Sequence, residues 1–253
     1  TVVLDLPDTP DALMKLFPAK LRSQVRRPQK EGVRVAFGAE HLDGFYTVWL
    51  IDHTEAYRDA VRQALANLKR KYVGACWDDK SADGLADCIE GAIHHYNREP
   101  VASAADWIDS QTRMMWAIQK PDGIIEGWHG DGNSARTSLM YALWKTQGAT
   151  LQPWRADVRV GAVREGDRLY LSLTAAKPWE GRLVFDRPRH KLLMHLPLDY
   201  TRINQFPEWF TVRPDARYEI TSSAGETNTQ TGTQTGAQLA AGLPVKLAAG
   251  QAM

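Results

Sequence analysis

LMYALWKTQGATLQPWRADVRVGAVREGDRLYLSL, residues 139–173, carries two different periodicities on either side of Pro153. Upstream, Leu139, Met140, Leu143 and Trp144 return at helical spacing, and Gly148 reads as a C-terminal stop. Downstream, Val158 and Val160, then Leu169, Leu171 and Leu173, alternate about a Glu165-Gly166-Asp167 turn, which predicts a β-hairpin. From His53 onward the apolar period changes once, from about 3.6 to 2, so that part is helical first and β afterwards. That order predicts the α+β class.

Working upstream, the helical pattern extends to His53. Ala56, Tyr57, Ala60, Val61, Ala64, Leu65, Leu68 and Tyr72 define one broad apolar face. Leu85, Cys88, Ile89, Ala92 and Tyr96 define a second, and Trp107, Ile108, Met115 and Ile118 centre a third. The fourth helix is expected from about Ser134 to Gln147, so four helices form two antiparallel hairpins. Working downstream, further strands are expected at 182–185, 191–196, 209–212, 217–221 and 244–247. Residues 222–237 are polar and low in complexity, too poor in apolar groups to offset the entropy of ordering.

The first 49 residues read differently. Thr1–Leu6 is a β-branched run ended by Pro7, and Leu13, Phe17, Leu21 and Val25 form a helical stripe interrupted by Pro18. Val33–Phe37 reads as a strand, and Leu42, Phe45, Tyr46 and Trp49 as a helix. The seam between this βαβα segment and the helical run divides the chain into residues 1–49, 50–150 and 151–253.

Bulk properties exclude some functions. Lys and Arg total 31 against 30 Asp and Glu, so net charge favours neither nucleic acid nor an anionic membrane. The basic residues Lys20, Arg22, Arg26, Arg27, Lys30 and Arg34 read as a solvated helix face, with a phosphate-bearing partner as the alternative. No apolar run approaches the roughly 20 residues that span a bilayer, and no signal peptide is visible. Cys76 and Cys88 read as buried thiols, with a disulfide as the alternative. Nine Trp suit either a core or a sugar cleft, where an indole face stacks on a pyranose.

The densest polar cluster lies between the third and fourth helices: Asp122-Gly-Ile-Ile-Glu126-Gly-Trp128-His129-Gly-Asp131-Gly-Asn133-Ser-Ala-Arg136. Glu126 and Asp131 supply carboxylates and His129 a proton carrier, the set a glycosidic bond requires. Trp128 and Trp77 offer stacking faces, and Asp78, Asn133 and Arg136 offer polar contacts to a sugar. The same residues also suit a structural loop in which Asp131 or Asn133 caps the fourth helix. His129 and Asp131 lack a third ligand at suggestive spacing, so no metal or other cofactor is expected. His94-His95 read as an ordinary pair near a helix end, where positive charge is favourable, and Tyr96–Glu99 as exposed, with lyase chemistry at the Tyr and Arg as the alternative. Asp186–His190 and Arg202–Trp209 read as turns whose charges could line an interface with the helical part.

Two resemblances add to this reading. Leu4-Asp-Leu-Pro, Leu21-Arg-Ser-Gln-Val-Arg-Arg, Lys30-Glu-Gly-Val and Leu42-Asp-Gly-Phe-Tyr make residues 1–49 resemble part of a FemAB-like, GNAT-fold aminoacyltransferase. Trp77-Asp-Asp-Lys-Ser-Ala-Asp-Gly, Gly127-Trp-His-Gly-Asp-Gly-Asn, Leu143-Trp-Lys-Thr-Gln-Gly and Phe206-Pro-Glu-Trp-Phe make the remainder similar to the C-terminal part of an uncharacterised bacterial family. That family looks like the (α/α)-toroid polysaccharide lyases and glycoside hydrolases.

The second resemblance implies helical hairpins of a toroid followed by an antiparallel β-sandwich. It also implies a polysaccharide or oligosaccharide partner and a periplasmic or secreted location. The first implies aminoacyl transfer in the cytoplasm, and a non-catalytic fusion module is the third possibility. A toroid needs more helices than four, so unpartnered apolar stripes point to a homo-oligomer.

Overall fold

The computed structural model describes residues 15, 19–20, 42–72, 82–125, 132–223, 229–250 and 252. The chain divides into two compact units, Thr1–Glu40 and His41–Met253. In the first, Lys15, Ala19 and Lys20 are helical and exposed; the strands expected at 1–6 and 33–37 lie outside the described residues. The second unit combines helices with antiparallel sheet. Its first helix crosses the seam expected at 49/50 and packs with the residues that follow it.

Helix α1 (Leu42–Asp52) and helix α2 (Glu55–Lys71) form the first hairpin. The turn between them is set by His53 at φ +59° and by the Asp52 carboxylate, which accepts from the Thr54 N–H at 2.9 Å. Glu55 opens α2 and Lys69, Arg70 and Lys71 close it, each with the charge the helix dipole favours. Tyr46, Val61, Leu65 and Ala104 make the core of this hairpin. Helix α3 (Ala82–Arg98) and helix α4 (Ala102–Ala117) form the second, with Pro100 in the short link between them. Helix α5 (Asn133–Lys145) packs on α3, and Ile89, Ile93, Trp107, Ile108, Met115 and Met140 fill the space among α3, α4 and α5.

The end of α5 differs from expectation in one instructive detail. Gln147, not Gly148, takes the first left-handed position, at φ +49°. Its N–H donates to the Trp144 carbonyl at 3.0 Å, and the Gly148 N–H donates to the Leu143 carbonyl at 2.8 Å. This is the paired bonding of a Schellman stop. Gly148 is required one residue later, at φ +77°, where a Cβ would lie 2.8 Å from Asp186 Cβ. At the other end Gly132 holds the cap position, so Asn133 is the first helical residue rather than the cap.

Strands β1 (Thr150–Gln152), β4 (Trp179–Val184) and β7 (Leu243–Leu247) pair antiparallel in the order β1-β4-β7. Strands β2 (Val158–Glu165) and β3 (Arg168–Ala175) form the expected hairpin, with Glu165 opposite Arg168 and Gly166 at φ +57° in the turn. Leu151, Trp179, Leu183, Val245 and Leu247 of the first sheet share one core with Val158, Leu173 and Ala175 of the hairpin.

Three expectations for the β part are corrected. Residues 189–192 form a short helix, α6 (Arg189–Leu192), not a strand, and Leu192 and Leu193 stay exposed with no partner sheet to alternate against. Residues 209–212 make only a single bridge, Thr211 to Asp186. Part of the polar stretch 222–237 forms regular structure. Strand β6 (Thr229–Thr235) pairs with β5 (Arg217–Ser223), Thr221 opposite Thr231, so backbone hydrogen bonding compensates for missing apolar burial.

A capping box then starts helix α7 (Gly236–Ala240), in which Thr235 and Gln238 each accept from the other's backbone N–H. Gly236 has no room for a side chain: a Cβ there would fall on the Arg213 carbonyl oxygen and 3.0 Å from Pro214 Cα. Because both neighbours are backbone, Gly236→Ala is expected to cost roughly 3 kcal/mol. Gly232→Ala, whose Cβ meets nothing within 4 Å, is expected to stay within roughly 0.5 kcal/mol of the parent in urea denaturation. Equal midpoints for the two variants would refute the steric argument.

Residues 199–209 run along α3 as a strap. Arg202 Nη1 lies 3.3 Å from Glu90 Oε2, and His94 Nε2 lies 3.1 Å from the Gln205 carbonyl. Asn97 Nδ2 donates to the Glu208 carbonyl at 2.8 Å, and Arg98 Nη2 to the Asp199 carbonyl at 2.7 Å. Phe206 and Trp209 pack on the helical core beneath. The interface expected for the charges of 202–209 is therefore present.

Candidate functional site

Glu90 is the least expected residue in the helical core. It sits mid-helix in α3, fully buried, where an isolated carboxylate is prohibitively costly. Three donors satisfy it: Arg136 Nε at 2.8 Å, Thr137 Oγ1 at 2.8 Å and Arg202 Nη1 at 3.3 Å. Arg136 also lies 3.6 Å from Asp87 and donates to Asn133 Oδ1. Arg202 Nε lies 3.7 Å from Asp43 Oδ2, and Asp43 Oδ1 lies 3.0 Å from His95 Nε2. The result is a chain of alternating charge, Asp87–Arg136–Glu90–Arg202–Asp43, which ends on the His95 ring and links α1, α3, α5 and the strap. Burial pushes the Asp43 carboxyl up, but His95, Arg202 and His94 together hold it below its usual value.

His94 stands beside this chain without joining it. Burial, reinforced by Arg98, Arg202 and His95 and opposed by Asp43, pushes its imidazole down to about 3. The ring is therefore neutral at physiological pH, and Nε2 donates to the Gln205 carbonyl. Both His94 and His95 are buried, as is Glu99, which was expected to be exposed and which Arg58, Arg62 and Tyr46 hold at 2.5, 2.7 and 2.8 Å.

Of the residues expected at a site, Asn133 and Arg136 are brought together on the first turn of α5 and anchored to Glu90. Glu126, Trp128, His129 and Asp131, like Trp77, Asp78 and Cys76, lie outside the described residues. The first turn of α5 thus carries an amide and a guanidinium that bond to each other, with the guanidinium also held by Glu90 and Asp87.

A second feature lies at the other end of α5. A cleft of about 580 Å³ opens between the ends of α3 and α5 and the β2–β3 hairpin. Its walls include Tyr96, Trp144 and Trp209, with Asn97, Gln147 and Arg164 among the polar groups. Trp144 and Trp209 stack with ring centroids 6.4 Å apart. Lys145 covers the Trp144 ring at 3.9 Å and pairs with Asp109 at 2.7 Å, while Arg98 pairs with Asp199 at 3.1 Å. These pairings leave the cleft close to neutral, suited to hydroxyl-rich ligands.

The Glu90 network and the cleft were not assigned from sequence. One signal was available: Glu90, His94 and Arg98 recur every four residues, a polar ladder along one face of α3 between Ile89 and Ile93. Among the described residues, His190, Asp199 and Glu208 alone place donor atoms close enough to share a metal ion. No protein-family model, curated protein or solved structure matches this chain.

Proposed function

We propose that the chain is a carbohydrate-active protein that binds a polysaccharide and acts on it by lyase or hydrolase chemistry. The observation that carries this reading is the aromatic and amide-lined cleft at the junction of helices and sheet. Such clefts suit sugars because an indole edge or face meets C–H groups while amides and guanidinium groups meet hydroxyls. In this reading α1–α5 belong to an (α/α)-toroid, and the two sheets over one core are the start of a β-sandwich.

Glu126, His129 and Asp131 are then the acid/base set, preceding α5 in sequence, with Asn133 and Arg136 as polar contacts to the sugar. The distance along α5 bears on the ligand. Trp144 is eleven residues beyond Asn133, about 16 Å at a helical rise of 1.5 Å per residue. One sugar ring cannot reach both ends of α5, whereas a polymer can, so the cleft would hold residues remote from the bond that breaks.

The test pairs glycan-array binding with two product assays, ultraviolet absorbance of a new conjugated double bond and release of reducing ends. Trp209→Phe with Arg164→Ala is expected to weaken binding about tenfold, a change of about 1.4 kcal/mol. His129→Ala is expected to abolish product and leave binding intact. A parent protein that retains no glycan would overturn the proposal.

A further inference from the structure

We propose that His190, Asp199 and Glu208 form a binding site for a divalent zinc ion, which ties α6 to the strap along α3. One donor atom from each of the three residues lies within 4.8 Å of the others. His190 Nδ1 is 2.9 Å from Glu208 Oε2 and 3.0 Å from Oε1. Tetrahedral zinc with bonds of 2.0–2.1 Å sets its donor atoms about 3.3 Å apart. The imidazole–carboxylate pair is thus already near the separation a shared ion requires. In the ion-free protein a hydrogen bridges Nδ1 and the carboxylate, and the ion would take that place.

The surroundings support the same assignment. The carboxylates are held from outside by groups that do not compete for every lone pair. The His190 N–H donates to Glu208 Oε1 at 2.7 Å. Asn204 Nδ2 donates to Glu208 Oε1 and to Asp199 Oδ1, both at 3.1 Å, and Arg98 donates to Asp199 Oδ2 at 3.1 Å.

Glu208 Oε2 has the His190 ring as its partner, whereas Oε1 also accepts from the His190 N–H and Asn204. Outer hydrogen bonds of this kind orient ligating carboxylates. Two carboxylates share one guanidinium, that of Arg98 on Asp199. One imidazole with two carboxylates favours zinc over magnesium or calcium, which prefer all-oxygen shells. Three protein donors leave a fourth position open, and Glu208 also lines the cleft.

The experiment is equilibrium dialysis of the full chain against zinc chloride with elemental analysis, followed by substitution of cobalt(II) and visible absorption. The expected result is one zinc per chain, lost to a chelator. Affinity should fall at least tenfold in both His190→Gln and Glu208→Gln, and the cobalt spectrum should show nitrogen and oxygen donors without a thiolate band. Absence of saturable binding would overturn the proposal, as would unchanged affinity in a folded Glu208→Gln or a thiolate-to-cobalt band from a cysteine site. If the variants do not fold, the cobalt spectrum of the parent protein decides. Glycan binding enters none of these readouts, so the zinc site and the carbohydrate reading fail separately.

Discussion

Glu90→Ala is expected to destabilise the protein by about 3–5 kcal/mol, the largest effect of any single side-chain truncation in the helical part. The wild-type carboxylate is fully buried and accepts from Arg136, Arg202 and Thr137. Its removal takes the buried counter-charge from two guanidinium groups, leaving Arg136 with Asp87 and Arg202 with Asp43, and opens a cavity beside them. Arg202→Ala, by contrast, breaks the longer 3.3 Å contact of a side chain one-third exposed. That change is expected to cost about 1 kcal/mol. Urea denaturation of the two variants measures the difference. A Glu90→Ala midpoint as close to the parent as that of Arg202→Ala would show that the buried chain of charges contributes little.

The second large effect concerns pH. In the unfolded chain the imidazole at position 94 takes up a proton near its ordinary value of 6.5, whereas in the folded protein burial delays protonation to about 3. Between those values the unfolded state holds the extra proton, so stability rises with pH. The contribution is fully present above pH 6.5 and is lost as pH falls, at about 1.4 kcal/mol per unit.

A loss of about 2 kcal/mol is therefore expected between pH 6.5 and 5. This window lies above the range in which the depressed carboxyls Asp43 and Glu99 titrate. His94→Gln retains a donor toward the Gln205 carbonyl and is expected to flatten the profile in that window. Parallel profiles for the parent and His94→Gln in chemical denaturation would assign the acid sensitivity to another group.

The helices were legible because each carries an apolar face, but their pairing was not: α1 with α2 and α3 with α4 form the hairpins, and α5 packs on α3. Ala56 to Tyr72 and Leu85 to Tyr96 carry their period in the residues themselves. The β2–β3 hairpin was legible because Glu165-Gly166-Asp167 sits between two alternating runs. Residues 191–196 misled for the opposite reason. Their apolar content is high, but a strand also needs a partner edge, and nothing local to the sequence reports one. The 229–235 segment misled because its stability is carried by ladder hydrogen bonds to β5, which composition does not register.

The site was harder still. Asn133 and Arg136 could be singled out because glycines and acids cluster around them in sequence. Glu90 could not, because its partners lie 46 residues downstream in α5 and 112 downstream in the strap. Burial of a charge depends on such distant partners, and a single helix face does not encode them. The same limit applied to Tyr96–Glu99, whose acid closes the core of α1 and α2 through Arg58, Arg62 and Tyr46.

The strap along α3 has a kinetic consequence. Its contacts join residues 101 to 112 positions apart in sequence. Closing loops of that length is entropically costly before any contact forms, whereas the hairpins on either side close locally. The strap is therefore a late event, added after helices and sheets exist. Interactions formed after the rate-limiting step leave the refolding rate almost untouched and set how quickly the native state opens. The lifetime of the native state is then expected to depend on the strap's hydrogen bonds, its ion pairs to Arg98 and Glu90, and the packing of Phe206 and Trp209.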